Sequence, residues 1–411
     1  MQLNLTRKTN GRNKRLMNRI RVVHIISDTN IGGAGVLLCN LLRHTDRTRY
    51  DPYVILPWGS ALVPRLDALD VPHLCCGKAA LSAFAGRADT SADIRAIPEI
   101  TGMLRRLRPQ ILHTHASLAG RIAGLLAGVP IRLMTRHCAF PPPPWLCRFP
   151  GKQGNGAFQC LLTHRFIAVA RAAKQNLTET GTPSDRVTVI VNGSDPLREV
   201  SAEEVQALRE RLGIPAGSFV VGICARLEAC KDHDTFLRAA KLCLLRDPIL
   251  RFLIVGKGRR EAELRHLAGT LGIENSVIFT GFAPDPAPYF RLFSVNVNCS
   301  VGTETSCLAI SEGYSAGLPA IVSDFGGNPD MVEDGKTGFV VPMKNPAAFA
   351  EKILLLRDDP ELLRSMSENA RVRYRQKYTA SGMTRALEAV YEELIQKNQA
   401  RICTRRLVTK K

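Results

Sequence analysis

The sequence predicts an α/β protein of two facing, doubly wound halves with a central cleft, and three observations lead there. From Arg21 onward, short apolar runs alternate with amphipathic stretches, the pattern of βα units around a parallel sheet. The alternation lapses at a turn-rich NGSDPL (192–197) and then begins again. The length, 411 residues, exceeds what one hydrophobic core fills, so two units of roughly 150–200 residues are expected. The expected boundaries are 1–20 for a basic tail, 21–192 for the first unit, 193–375 for the second and 399–411 for a second basic tail, with a last helix at 376–398.

RVVHII (21–26) reads as a buried strand, SDTNIGGAG as a glycine loop and VLLCNLLRHT as a helix with one apolar face. YVILP is the next strand, followed by a short helix through Leu69 and a less regular stretch. DIRAIPEITGMLRRLRP reads as a helix, QILHTH as a strand, SLAGRIAGLLAG as a small-residue helix and IRLMTRH as a strand. Between Phe140 and Gly156 the pattern gives way to FPPPPWLCRFPGKQGNG, where four prolines favour extended backbone and the glycines loosen it. A loop of that length is functional or simply a surface excursion. Trp145, Arg148, Phe149 and Lys152 make it apolar and basic together, suited to an acceptor or a membrane surface. FIAVA, the helix AAKQNLTETG and VTVIVNGSD close the first half. The second half runs FVVGICAR, a helix from Asp232, RFLIVG, a helix from Arg260, VIFTG, PYFRLF, VNVNCSV, a short helix and PAIVSD. It ends in the helices of NPAAFAEKILLLRDD and LEAVYEELIQK.

Hydrophobic residues at 45% and charged residues at 23% exclude a disordered chain and a membrane bundle. No apolar run reaches the roughly 20 residues that span a bilayer. The basic N-terminus lacks the apolar stretch of a secretory signal, so the expected location is cytoplasmic. Twelve cysteines contain no C-x-x-C pair and read as small buried hydrophobes rather than a zinc or redox motif. The net charge of +19 gathers in the tails, with Arg7, Lys8, Arg12, Lys14, Arg15, Arg19 and Arg21 at one end and Lys397, Arg401, Arg405, Arg406, Lys410 and Lys411 at the other. Such tails suit an anionic membrane surface or simply solvate the chain, and no base-reading module accompanies them to indicate nucleic acid.

The strongest chemical signal is ARLEACKDHDTFLRA. Arg226 ends a strand and Lys231 precedes a helix, so both cations can point into the cleft and neutralise a diphosphate, including the charge that builds as it leaves. The second is GTETSCLAISEGYSAGLPAIVSDFGG, in which Glu304 and Glu312 are eight residues apart. A helix starting near Ser306 would set Glu304 on the loop before it and Glu312 two turns in, where a carboxylate accepts paired sugar hydroxyls. The amides of Ser306, Cys307 and Leu308 would form an anion site at the helix start.

Together these segments resemble the family 4 glycosyltransferases, which carry an R-x4-K pair followed by an E-x7-E pair. The likeness also covers IGGAG, QILHTH, VNGSD and SAGLPAIVSDFGGNPDMVEDGKTGFVV, most of the chain. The resemblance implies the GT-B architecture of two Rossmann-like domains, with the last helix crossing back onto the first. It implies that Arg226 and Lys231 bind the phosphates of a nucleotide-sugar, Glu312 its ribose and Glu304 the transferred sugar. Gly32 and Gly33 would allow close approach of the first loop, and His137 would face the reacting sugar, through its ring or its carbonyl; His113 and His115 read as structural. It further implies a retaining hexosyltransferase without metal or other cofactor, working by front-face displacement on a cell-envelope glycan or lipid-linked acceptor. The absence of a DXD-like pair agrees. Thr305, Ser306 and Cys307 depart from the Gly-Phe-Gly run common in the family, and Gly313 stands where alanine is common; both changes bear on sugar preference. A nucleotide-sugar epimerase of the same fold, or a non-enzymatic membrane- or nucleic-acid-binding protein, are the alternatives.

Overall fold

Strands buried on both faces require helices on both sides of their sheet, and this chain supplies one between almost every pair of strands. The computed structural model describes residues 19–408 apart from 28, 30, 78–93, 116 and 140. Arg7, Lys8, Arg12, Lys14, Arg15, Lys410 and Lys411 lie outside the described residues, as do the side chains of Arg401, Arg405 and Arg406.

The first half runs β1 (Ile20–Ile26), α1 (Gly33–His44), β2 (Tyr50–Pro57), α2 (Val63–Ala68), β3 (His73–Cys76), α3 (Ile97–Leu107), β4 (Ile111–His115), α4 (Leu118–Leu126), β5 (Ile131–Arg136), α5 (Gly151–Leu162), β6 (Arg165–Ala168), α6 (Arg171–Glu179) and β7 (Val187–Val189). The second half runs α7 (Ala202–Arg211), β8 (Val220–Cys224), α8 (His233–Leu244), β9 (Arg251–Val255), α9 (Glu261–Thr270), β10 (Val277–Gly281), α10 (Ala287–Leu292), β11 (Val295–Asn298), α11 (Leu308–Ala316), β12 (Ala320–Ser323), α12 (Asn328–Met331), β13 (Gly338–Val341), α13 (Pro346–Asp358), α14 (Pro360–Lys377) and α15 (Ala380–Val408).

Two parallel sheets result, ordered β3-β2-β1-β4-β5-β6-β7 and β10-β9-β8-β11-β12-β13. Strand order reverses between β1 and β4 in one sheet and between β8 and β11 in the other, and the crevice beyond the carboxyl ends at such a reversal is where open α/β sheets bind ligands. The second core packs Phe236 and Leu237 of α8 on Phe252 and Ile254 of β9. The first is completed from the far end of the chain: Met383, Leu387, Val390, Tyr391 and Leu394 of α15 join Leu38, Val54 and Ile111. Arg49 pairs with Glu392 and Arg165 with Glu393 along the same helix.

The loop expected over 140–156 is only half irregular. Pro144–Leu146 makes one tight 3₁₀ turn and α5 starts at Gly151. Three glycines hide this helix from a propensity reading, yet one is needed for packing, because a Cβ on Gly156 would lie 2.2 Å from the Gly181 carbonyl. β3, α7, β13 and α14 are further elements that the alternation did not separate. The cysteines are less buried than expected: Cys39, Cys76, Cys243 and Cys299 are buried, whereas most others are partly accessible and Cys403 is exposed. No helix among the described residues is long and apolar enough to cross a membrane.

Candidate functional site

β8 is buried along most of its length and the chain beyond it is polar, so Arg226 emerges at its carboxyl end with an exposed side chain. Lys231 closes a 3₁₀ turn, and Asp232 then adopts a left-handed conformation and caps α8 by accepting from the Thr235 amide. That cap fixes the turn and holds Lys231 toward the cleft. Glu304, on the loop after β11, forms an ion pair with Lys231. Asn298 Nδ2 at 3.2 Å and Ser300 Oγ at 2.9 Å donate to the same Oε2 atom. Burial pushes the Glu304 carboxyl up, but the Lys231 ammonium and these hydrogen bonds outweigh it and hold the group below the usual carboxylate range. Burial also opposes charge on Lys231, and Glu304 reverses the balance, raising the ammonium above its ordinary value. Three donors therefore converge on Oε2.

Glu312 lies in the second turn of α11 beside Cys224, and burial pushes its carboxyl up to about 7. Lys231, Asn298, Ala225, Cys224 and Ala309 wall a small cavity at the ends of β8 and β11. The helix start differs from expectation. α11 begins at Leu308 rather than near Ser306, and the Cys307 amide points to Met331 Sδ at 3.2 Å. Ser306 is occupied too: Oγ accepts from the Asn192 amide and its carbonyl accepts from Asn192 Nδ2, both at 3.2 Å. Of the three amides proposed as an anion site, the Cys307 N–H is therefore engaged, and Leu308 is the first residue of the helix.

Across the cleft, Gly32 caps α1 and Gly33 opens it. A Cβ on Gly33 would meet nothing within 4 Å, so the space before the helix is open. His137, one residue past β5, ends a stack of rings. His24 Nδ1 lies 3.2 Å from His115 Nε2, and His115 Nδ1 lies 3.1 Å from His137 Nε2. His113 is held by Tyr391 Oη and Thr135 Oγ1, each at 2.7 Å. Burial lowers all four, His24 to about 3 and His137 to about 4 with the other two well below 6.5, so every ring is neutral at pH 7. The Thr305 hydroxyl donates to the His137 carbonyl at 2.6 Å and ties the two halves together across the cleft. That carbonyl, one of the two groups expected to face a ligand, thus already has a donor.

His24, His113 and His115 present ring nitrogens within 4.8 Å of one another, the one grouping among the described residues with the donor set for a metal. His113 and His115 already use both nitrogens in hydrogen bonds. The sequence did not single out Asn298 and Ser300, and it marked Thr305 only for sugar preference; polar residues at and just past the end of the buried strand VNVN were the available signal.

Residues 31–198 match the family model Glycosyltransferase Family 4, and residues 204–373 match Glycosyl transferases group 1. EpsD of Bacillus subtilis (strain 168) is 31% identical over 272 residues, covering 64% of this chain and 71% of that protein. The UDP-Gal:alpha-D-GlcNAc-diphosphoundecaprenol alpha-1,3-galactosyltransferase of Escherichia coli is 29% identical over 297 residues, covering 68% and 74%. Among solved structures, Anabaena HepE in complex with UDP-glucose superposes with a TM-score of 0.77 at 20% identity, over 91% of this chain and all of that one.

Proposed function

The chain belongs to the family 4 glycosyltransferases, and from that premise we propose that it transfers a hexose from a UDP-sugar to a lipid-linked glycan of the cell envelope with retention of configuration. The observation that carries this is the largely buried Lys231–Glu304 ion pair beyond the carboxyl ends of the second sheet, with Arg226 exposed at the end of β8 and Glu312 beside Cys224 of the same strand. The UDP and the lipid-linked acceptor are taken from the similar galactosyltransferase and from HepE.

Arg226 and Lys231 hold the diphosphate, and their charge rises in value as the anomeric C–O bond lengthens and negative charge moves onto the leaving oxygen. Lys231 exchanges part of its contact with Glu304 for phosphate, which frees Glu304 to accept a sugar hydroxyl. Glu312 accepts the ribose hydroxyls. The acceptor oxygen bonds to the anomeric carbon on the face the diphosphate leaves, and its proton passes to that diphosphate. Two side-chain cations supply the leaving-group stabilisation that a metal ion would otherwise give, so the reading is metal-independent. His137 hydrogen-bonds a sugar hydroxyl from the first half.

A thermal-shift and turnover screen of UDP-, GDP-, ADP- and dTDP-hexoses on wild type and Lys231→Ala tests this. Stabilisation by UDP-hexose alone, lost in the variant together with about 10²–10³-fold in turnover, is expected. Equal stabilisation of both proteins, or none of either, would remove the donor site from this cleft.

A further inference from the structure

Between α4, α5 and α6 of the first half lies a cavity of about 190 Å³, walled by Arg121, Arg136, Pro142, Leu146, Gln159 and Asn176. Arg121 reaches it from α4 and is only 7% exposed. Its Nη1 donates to Gln159 Oε1, while its Nε has no partner. Gln159 is itself oriented, since its Nε2 donates to Asn155 Oδ1 at 3.2 Å and Asn155 Nδ2 donates to the Thr180 carbonyl at 2.5 Å. Arg136 joins from the end of β5, with Nη2 donating to Asn176 Oδ1 at 2.9 Å.

No carboxylate pairs with Arg121 among the described residues. Burial and then the Arg136 cation act on it, and both disfavour its charge, drawing it down to about 10. A buried cation facing a second cation is costly unless an anion arrives to share the space. Guanidinium forks and side-chain amides around a polar hollow are the donor set for a phosphate. Position says whose phosphate. Arg136 immediately precedes His137, and the Cys138 thiol, raised chiefly by burial, feels Arg136 as well as Glu304, Lys231 and Arg226. Arg136 thus joins the cavity to the residue whose carbonyl meets Thr305 of the second half, on the first-half side of the cleft and opposite the donor cations.

We propose that this cavity binds a phosphate or diphosphate carried by the acceptor, with Arg121 and Arg136 as its ligands. The inference rests on the transferase reading above. A lipid-borne diphosphate and a soluble sugar phosphate share this chemistry. Trp145, Phe149, Phe158 and Leu161 stand exposed on the loop and helix that wall the cavity, where a lipid chain could lie beside its headgroup.

The test titrates the full-length protein, in a Trp58→Phe background with saturating UDP, with inorganic diphosphate and with farnesyl diphosphate, following Trp145 fluorescence. Arg121→Met is expected to weaken both by on the order of tenfold or more while leaving the UDP thermal shift unchanged. Leu146→Glu, which sets a carboxylate in the cavity wall, should abolish binding of both and raise the melting temperature. Tighter binding of farnesyl diphosphate than of inorganic diphosphate assigns the site to a lipid carrier, and equal binding assigns it to a soluble phosphate. Binding unchanged in both variants overturns the proposal. Loss of the Lys231-dependent UDP shift would instead strike the donor reading, and the Arg121 titration, repeated without UDP, reads the cavity independently.

Discussion

Glu312 is close to half-protonated at pH 7 in the empty site, because burial raises it to about 7. Ribose hydroxyls donate to a carboxylate better than to a carboxylic acid, and a UDP-sugar brings its own hydrogen-bond donors to the group. Binding should therefore expel roughly half a proton at pH 7. Calorimetry in buffers of different ionisation enthalpy should show that release, and Glu312→Gln should remove it; equal release from both proteins would place the proton elsewhere. The same burial has a sign for stability. The folded value exceeds the unfolded 4.5, so ionising Glu312 costs stability that accumulates as pH rises from 4.5 to 7. His137 follows different logic. In a line of neutral rings each carries one proton, so the tautomer of His24 sets that of His115, which sets that of His137.

Elements fix these residues, and α5 shows how little slack there is. Gly156 lets α5 lie against the turn at Gly181, whose φ of +99° is itself a glycine conformation. Gly156→Ala should destabilise the protein by about 1–3 kcal/mol, seen as a lower melting temperature; an unchanged value would mean that α5 shifts freely. The elements also explain what the sequence could disclose. The roles of Arg226, Lys231, Glu304 and Glu312 remain the proposal made above, but their positions, beyond strand ends for the first three and in the second turn of α11 for Glu312, were legible because local spacing along a strand-loop-helix unit sets them. The histidine line was not, because it depends on the register that puts His24 beside His113 and His115 beside Thr135 across three strands. Arg121 and Arg136 were equally silent: their meeting depends on α5, a helix that its own glycines conceal. The early start assigned to α11 had a similar cause, since Ser306 looks like a capping residue yet spends its hydroxyl on Asn192.

At the scale of the molecule, five histidines set the expected response to mild acid, four of them buried and His137 half-buried. His24, His113, His115, His137 and His233 are all lowered by burial, with His137 and His233 near 4. Each binds a proton in the unfolded chain near 6.5 that the folded chain refuses, so stability is complete above 6.5 and is lost as pH falls toward 4. The slope is up to about 1.4 kcal/mol per pH unit for each histidine. This opposes the Glu312 effect and, by number, exceeds it. Melting temperatures from pH 8 to 4.5 should hold nearly level and then fall steeply below about 6.5; a level profile down to 4.5 would show that the rings are not buried neutral.

The return of α15 to the first sheet has a consequence in time as well as in space. A ribosome delivers the first half's seven strands long before it delivers Leu387, Tyr391 and Leu394, which cover that half's apolar face. Throughout translation of the second half the nascent chain carries an unsealed seam. The first half matures last, although it is made first.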